Sequence, residues 1–309
     1  MNHLVDALRG QFTVVNLGCI GDDDFRLPPP IARSLTLVEI DAEGGAQTRS
    51  RYHRKIVINK PISGTPGVRS FRRNTFAGTC SFLDPLPGRV VAFGMERYCQ
   101  LVGRTEMECE TIPALLEREG VVGLDFLKTD VEGADFEIIQ SCERYLERML
   151  FLQCELRFRP FYESEVYFHE VIAYLASHGF EVLDLLHIDR WKYATPHRDW
   201  QLEGRAQWAD FLLVVRPELL RERFGPQLPL AVAKLVIIAS MVGKKNYAEY
   251  ILQEFANVLP TDWIPELTSL LRPALPNFAQ TRWMLRRIFR PLELFLKHRI
   301  QRSRHVAIR

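Results

Sequence analysis

The sequence predicts an α/β fold: a mostly parallel sheet of seven strands joined by crossover helices, followed by a helical extension at the C-terminal side. Three observations carry this expectation. Between Leu124 and Cys154 an apolar run, a polar turn, an amphipathic segment and a second apolar run spell strand, turn, helix, strand. The same alternation recurs through Phe180–Leu186, with connections long enough for right-handed parallel crossovers, and Trp208–Val215 reads as the last strand. Beyond Pro217 only helical spacing remains.

Taken in order, Phe12–Leu17 reads as a buried first strand because it is continuously apolar apart from Thr13 and Asn16. Gly18 and Gly21 allow a tight turn. Asp22-Asp23-Asp24 and Pro28-Pro29-Pro30 then delay the usual helix, since proline fixes φ and lacks a donor. Ser34–Ile40 and Arg54–Ile58 are the second and third strands. Residues 61–105 are rich in Gly, Ser, Thr, Arg and Pro, with Val90–Phe93 as a short extra strand. Ile112–Glu119 is a short helix leading to the fourth strand, Leu124–Leu127, and Met149–Cys154 is the fifth. Leu230–Val242 and Tyr247–Val258 form a helical pair turning at Gly243-Lys244-Lys245. The expected divisions are 1–217 for the sheet domain, 218–260 for the helical extension, 261–281 for a proline-punctuated linker and 282–309 for a basic amphipathic helix.

Apolar residues make up 47% of the 309 and charged ones 25%, which places the chain among globular proteins. Six cysteines contain no C-x-x-C pair, so free thiols are expected and neither a zinc knuckle nor a redox dithiol is. The eight histidines do not fall at ligand spacing, and no metal site is expected. Residues 1–12 hold no apolar core of signal-peptide length, and the apolar stretch Leu228–Val242 is interrupted by Lys234 and short of the roughly 20 residues a bilayer requires. The expectation is a cytoplasmic protein. Residues 282–309 carry nine Lys or Arg against Glu293, hence +8, while the whole chain carries +2. With Trp283, Leu285, Ile288, Phe289, Leu292, Phe295, Leu296 and Ile300 as an apolar stripe, this end fits peripheral contact with an anionic inner membrane face, or a helix packed on its own domain with a solvated basic face.

Both strands of the Leu124–Tyr162 stretch, LDFLKTDVEGADFEIIQSCERYLERMLFLQCELRFRPFY, end in carboxylates: Asp130 and Glu132 after the first, Glu155 on the second. In an open parallel sheet ligands bind outside the carboxyl ends of strands, so these acids would line the crevice. Glu39 ends the second strand about twenty residues after Gly18, where an acid can accept both ribose hydroxyls of an adenosine. The plainer alternative is that Glu39 and Asp41 open a solvated turn.

The run Asp125-Phe126-Leu127-Lys128-Thr129-Asp130-Val131-Glu132-Gly133-Ala134-Asp135, the later Glu155, Phe158, Pro160 and Tyr162, the Gly179-Phe180 strand start and Asp210-Phe211-Leu212-Leu213 together resemble the FkbM-type family of S-adenosylmethionine (SAM) dependent methyltransferases. Asn16 stands where that family carries an aspartate, and Thr111-Ile112-Pro113 replaces its T-L-D element. The resemblance implies a Rossmann-like sheet of the class I methyltransferase type with an antiparallel seventh strand. It also implies SAM as cofactor and methyl transfer to a hydroxyl, on a sugar of a glycolipid, polysaccharide or secondary metabolite. The partner is then a small-molecule or glycan acceptor, not a nucleic acid.

On that reading Gly18, Glu39 and Asp130 bind SAM, and Asp130, Glu132 or Glu155 takes the acceptor proton. Glu132 could instead pair with Lys128 to hold the turn. His187, after the sixth strand, is a lesser candidate for the acceptor site, and His169 and His178 are expected to face solvent. Two rivals stand beside this reading: a non-catalytic binding or scaffold protein that kept the fold, and a nicotinamide-dependent oxidoreductase. The second is disfavoured because no G-x-G-x-x-G is present, and a cofactor without phosphate needs no pyrophosphate loop.

Overall fold

Successive side chains on a strand point to opposite faces, and the buried residues of this chain divide accordingly. Val14, Leu37, Phe126, Phe151, Leu212 and Val214 belong to one apolar cluster. Their strand neighbours Val15, Val38, Leu127, Leu152 and Leu213 belong to another. A central sheet buried on both sides follows. The computed structural model describes residues 2–18, 27–41, 51–195 and 204–271. Cys19, Gly21, Asp22–Asp24 and the basic segment 282–309 with its expected helix lie outside them.

The sheet has seven strands: β1 (Phe12–Leu17), β2 (Leu35–Ile40), β3 (Arg54–Ile58), then, past the inserted ribbon strands β4 (Gly67–Asn74) and β5 (Leu101–Cys109), β6 (Phe126–Thr129), β7 (Phe151–Arg157), β8 (Phe180–Trp191) and β9 (Arg205–Val215). Their order is β3-β2-β1-β6-β7-β9-β8. All neighbours are parallel except β9, which runs antiparallel to both β7 and β8. The seven expected strands are all present, with the last antiparallel as the resemblance implies.

Helix α1 (Asn2–Leu8) precedes the sheet, and α2 (Pro29–Ala32) is a single turn with proline at its start. Val90–Phe93, expected as a strand, instead falls in α3 (Pro87–Ala92) and its C-cap: Pro87 stands in the first turn, where its missing N–H costs nothing. Helix α4 (Ile112–Arg118) starts at Thr111, whose Oγ1 accepts from the Ala114 N–H, with Pro113 in its first turn. The Thr111-Ile112-Pro113 element is thus a helix start. Helices α5 (Asp135–Ser141), α6 (Glu143–Leu146) and α7 (Phe168–Ser177) cover the same face as α4.

The opposite face is covered from the C-terminal side by α8 (Leu220–Phe224), α9 (Leu228–Met241), α10 (Lys245–Glu254) and α11 (Trp263–Leu271), together with α1. Two expectations change here. The division at 217 is not a boundary, because Met1–Leu271 is one compact unit whose core includes Val232, Val236, Ile251 and Leu267. Nor are residues 263–271 linker: Trp263 and Leu267 are buried on one side of α11.

The helical run Pro217–Met241 has the length and apolarity to cross a bilayer, yet most of α9 is buried within the protein. Lys234, the charge that interrupts it, has a structural use. Its Nζ lies 2.8 Å from Oδ1 of Asp125, whose Oδ2 accepts from the Thr13 N–H at 2.8 Å. This pair pins α9 to the N-terminal end of the sheet. Burial raises the Asp125 carboxyl and Lys234 opposes the shift. A cleft of about 680 Å³ lined by Thr13, Leu124, Asp125, Arg148 and Lys234 opens at that same end, away from the strand carboxyl ends.

Candidate active site

At the carboxyl edge β1 and β6 nearly touch. Gly18 has φ +82°, and a Cβ built on it would lie 1.9 Å from the Asp130 carbonyl oxygen. The Gly18 N–H donates to Ile40 and the Asp130 N–H to Leu17. The crowding that demands glycine is therefore with Asp130's own backbone; the sequence argument expected it toward a ligand.

Asn16 faces Glu39 across β2 and Lys128 across β6 in register. It is fully buried, and neither its amide oxygen nor its amide nitrogen has a hydrogen-bond partner. Buried polar groups ordinarily find one, so an orphan pair at the carboxyl edge of the sheet is available to a ligand. Glu39 is buried and paired with Lys55 of β3 at 2.8 Å, so the solvated-turn alternative does not apply to it.

The predicted acids converge. Carboxylate oxygens of Asp130, Glu132 and Glu155 all lie within 4.8 Å of one another, a grouping that could hold a cation and that no linear metal motif reveals. A guanidinium already stands among them. Arg157, 4% exposed, contacts Glu132 at 2.6 Å, Glu155 at 2.8 Å and Glu165 at 3.2 Å. Its ring neighbour Tyr162 donates to Glu132 at 3.1 Å. Glu165 in turn accepts from the Phe161 and Tyr162 N–H groups, which fixes the segment after β7. Glu132's partners are thus Arg157 and Tyr162, where the sequence alternative had Lys128.

The turn itself is strained. Glu132 has φ +53°, a left-handed conformation rare for a residue with a side chain, and the Ser81 hydroxyl holds its carbonyl at 2.7 Å. Gly133 follows at φ +93°, and a Cβ there would strike the Tyr162 ring at 2.8 Å. Ser81 comes from the segment between β4 and β5, a ribbon that the polar composition of 61–105 did not reveal. That ribbon is also tied to α5 by the pair Arg69–Glu137.

Electrostatically the site holds more acid than base. Burial pushes the Glu155 carboxyl well above its ordinary range; Arg157 opposes this, while Glu132, Asp130 and Asp135 add to it. Burial likewise raises Glu132, again against Arg157. Arg157 remains charged: burial disfavours its charge, but Glu155, Glu132 and Glu165 outweigh that cost. Carboxylates this close titrate as a group rather than singly. Such a group can accept a proton from a hydroxyl and redistribute it.

Asp135, at the start of α5, is 2% exposed with neither oxygen hydrogen-bonded in standard geometry. Burial and then Asp130 raise it to about 7, with the Thr129 hydroxyl offsetting part of the shift. The folded state thus holds this proton more tightly than the unfolded chain, where the carboxyl titrates near 3.8. Stability from the group is complete below about pH 4 and is lost as pH rises toward 7. Asp135→Asn cannot ionise, so its stability advantage over wild type should grow across that window to roughly 2–4 kcal/mol at pH 8. Denaturant midpoints at pH 4, 6 and 8 measure it, and equal midpoints at pH 8 would sink the assignment.

The other candidates lie elsewhere. His187 is exposed on β8 with its ring 5.1 Å from Trp208, His169 is exposed, and half-buried His178 sits against Tyr174. The five described cysteines are free, as expected. Arg157 and Glu165 were not anticipated. Arg157 was within reach of the sequence, because it stands two residues from Glu155 on one strand and so shares its face. Glu165 had no such signal.

This strand order, with its single antiparallel strand and its acids gathered at the carboxyl edge, defines a Rossmann-like protein of the methyltransferase type. The chain matches the methyltransferase FkbM domain over residues 73–182, from β4 to the start of β8. That match bears out the resemblance carried by residues 124–162 and supports a methyltransferase. No curated protein and no solved structure matches the chain.

Proposed function

We propose that the protein is a SAM-dependent O-methyltransferase acting on a hydroxyl, with a sugar hydroxyl as acceptor. The observation that carries this reading is Asn16, buried with both amide atoms unpartnered at the sheet edge where Asp130, Glu132 and Glu155 meet. Asn16, Gly18, Glu39 and Asp130 would hold the cofactor, which supplies a methyl group on a sulfonium centre when bound. Glu39, aimed by its pairing with Lys55, presents an acceptor for ribose hydroxyls. The three clustered carboxylates take up the hydroxyl proton as the acceptor oxygen becomes nucleophilic, and Arg157 and Tyr162 hold Glu132 in position for it. The remaining contribution is alignment of the two reactants. Clustered acceptors also suit a ligand rich in hydroxyl donors.

Calorimetric titration with SAM and with NAD tests this. SAM should bind and NAD should not. Glu39→Gln keeps a hydrogen bond to Lys55 but removes a charged acceptor worth roughly 1.5–3 kcal/mol per ribose hydroxyl. Its affinity for SAM should fall at least tenfold with circular dichroism unchanged. Undiminished SAM affinity in this variant would remove Glu39 from the cofactor site, and no SAM binding by wild type would leave the scaffold alternative.

A further inference from the structure

Three chain segments bring arginines together near Tyr162, and a fourth adds a tyrosine. Arg89 on α3 donates from Nε to the Pro160 carbonyl at 3.4 Å. Arg159 precedes that proline, and its own carbonyl accepts from the Gln207 side chain at 3.2 Å. Arg205 opens β9 opposite Trp191 of β8. Tyr193, two residues past Trp191, stacks on Phe93 at 5.0 Å, and the Ala194 N–H donates to the Ala92 carbonyl at 2.8 Å, so the end of β8 is fastened to α3.

The three guanidinium groups lie in one another's field. Burial weakens the Arg89 guanidinium's hold on its proton, Arg159 and Arg205 weaken it further, and the phenols of Tyr167 and Tyr193 act against this. The Tyr193 hydroxyl is drawn down by Arg205 first, then by Arg159 and Arg89. Among the described residues no carboxylate pairs with any of the three. The contrast with neighbouring surfaces is sharp: Arg69, Arg72, Arg104 and Arg118 each face an acid. Like charges assembled by backbone contacts, with no counter-charge among the described residues, suit an anion.

We propose that Arg89, Arg159 and Arg205, with Tyr193, bind the phosphate of a phosphorylated acceptor. Three planar forks and a phenol offer more charge and more donors than one carboxylate can use, whereas a phosphate presents several oxygens and up to two charges. The half-exposed placement of Arg89 and Arg159 and the exposure of Arg205 and Tyr193 leave the site open to a ligand. It is also close to the chemistry. Arg159 is three residues from Tyr162, at most about 11 Å of chain, and Tyr162 donates to Glu132. Phe161, between them, packs edge-on to Trp191 at 5.1 Å. A sugar phosphate seated on the arginines would reach its hydroxyls toward Asp130, Glu132 and Glu155. This rests on the transferase reading for the acceptor but not for the anion site itself.

Calorimetry on the full chain at fixed ionic strength tests it, with pyrophosphate, glucose 1-phosphate and glucose as probes. Both phosphates should bind saturably and glucose should not. Arg159→Gln and Arg205→Gln should each weaken both phosphates at least tenfold, with SAM affinity and circular dichroism unchanged and the basic tail intact in all samples. Arg205→Lys should fall between, because it keeps the charge and loses the fork. Absence of saturable phosphate binding, or equal affinity in wild type and the glutamine variants, overturns the proposal. So does binding of pyrophosphate without glucose 1-phosphate, or arginine-dependent sedimentation with phosphatidic acid vesicles when neither soluble phosphate binds. Phosphate binding without SAM binding supports the anion site and overturns only the transferase reading.

Discussion

Arg157→Gln should destabilise the protein by roughly 3–5 kcal/mol, the range for removing one partner of a buried charge network. The residue is 4% exposed and contacts Glu132, Glu155 and Glu165 at 2.6, 2.8 and 3.2 Å. Without it, three acids lose the cation they share, and glutamine can replace a hydrogen bond but not the charge. The deficit has a signature that a packing defect lacks. Lowering the pH protonates the carboxylates, whose pKa burial already raises in Glu132 and Glu155, so the variant should recover part of its lost stability between pH 7 and pH 5. Urea midpoints of wild type and variant at both pH values measure this. A loss of the same size at both would show that Arg157 acts by volume alone.

Gly18→Ala should be the second severe change, and through the backbone. Its Cβ would stand 1.9 Å from the Asp130 carbonyl oxygen, and φ at +82° is costly for alanine. Left-handed strain and overpacking together amount to roughly 2–5 kcal/mol. Relief requires β1 and β6 to part at their carboxyl ends, which displaces Asp130 as well. Folded variant, if recovered, should therefore lose SAM affinity by more than tenfold, while Gly120→Ala, at another positive-φ glycine with open space around it, should cost only the backbone strain. Thermal melting and SAM titration of the two side by side separate crowding from conformation. Equal melting temperatures would show that the strand ends yield freely.

The strands were legible because each is a short apolar run bounded by Gly, Pro or charge, as at Phe12–Leu17 before Gly18. The ribbon of β4 and β5 was not. Its residues Arg69, Arg72, Arg73, Arg104, Glu106 and Glu108 give no apolar alternation, since it packs through ion pairs and the ends of long side chains. Within the site, the acids could be placed by strand ends alone, whereas Lys55, Glu165 and Ser81 arrive from segments whose approach depends on the completed fold. The linker expectation at 261–281 rested on its prolines. Pro265 lies in the first turn of α11, where proline is tolerated, so it begins a helix rather than interrupting one.

The helices beyond Pro217 close one face of the sheet, and this sets a timetable for biosynthesis. Strands β1, β2 and β6 emerge from the ribosome long before Leu228–Leu271. Until then, among the described residues, the helices that cover Val14, Leu37, Phe126 and Phe151 on that side are α1 and the single turn α2. A nascent chain of this design presents an uncovered apolar face during most of its synthesis, the kind of surface that aggregates or recruits holding chaperones. Lys234 arrives with α9 and pairs with Asp125, so the last layer to be synthesised is aligned by a charge pair at the far end from the site.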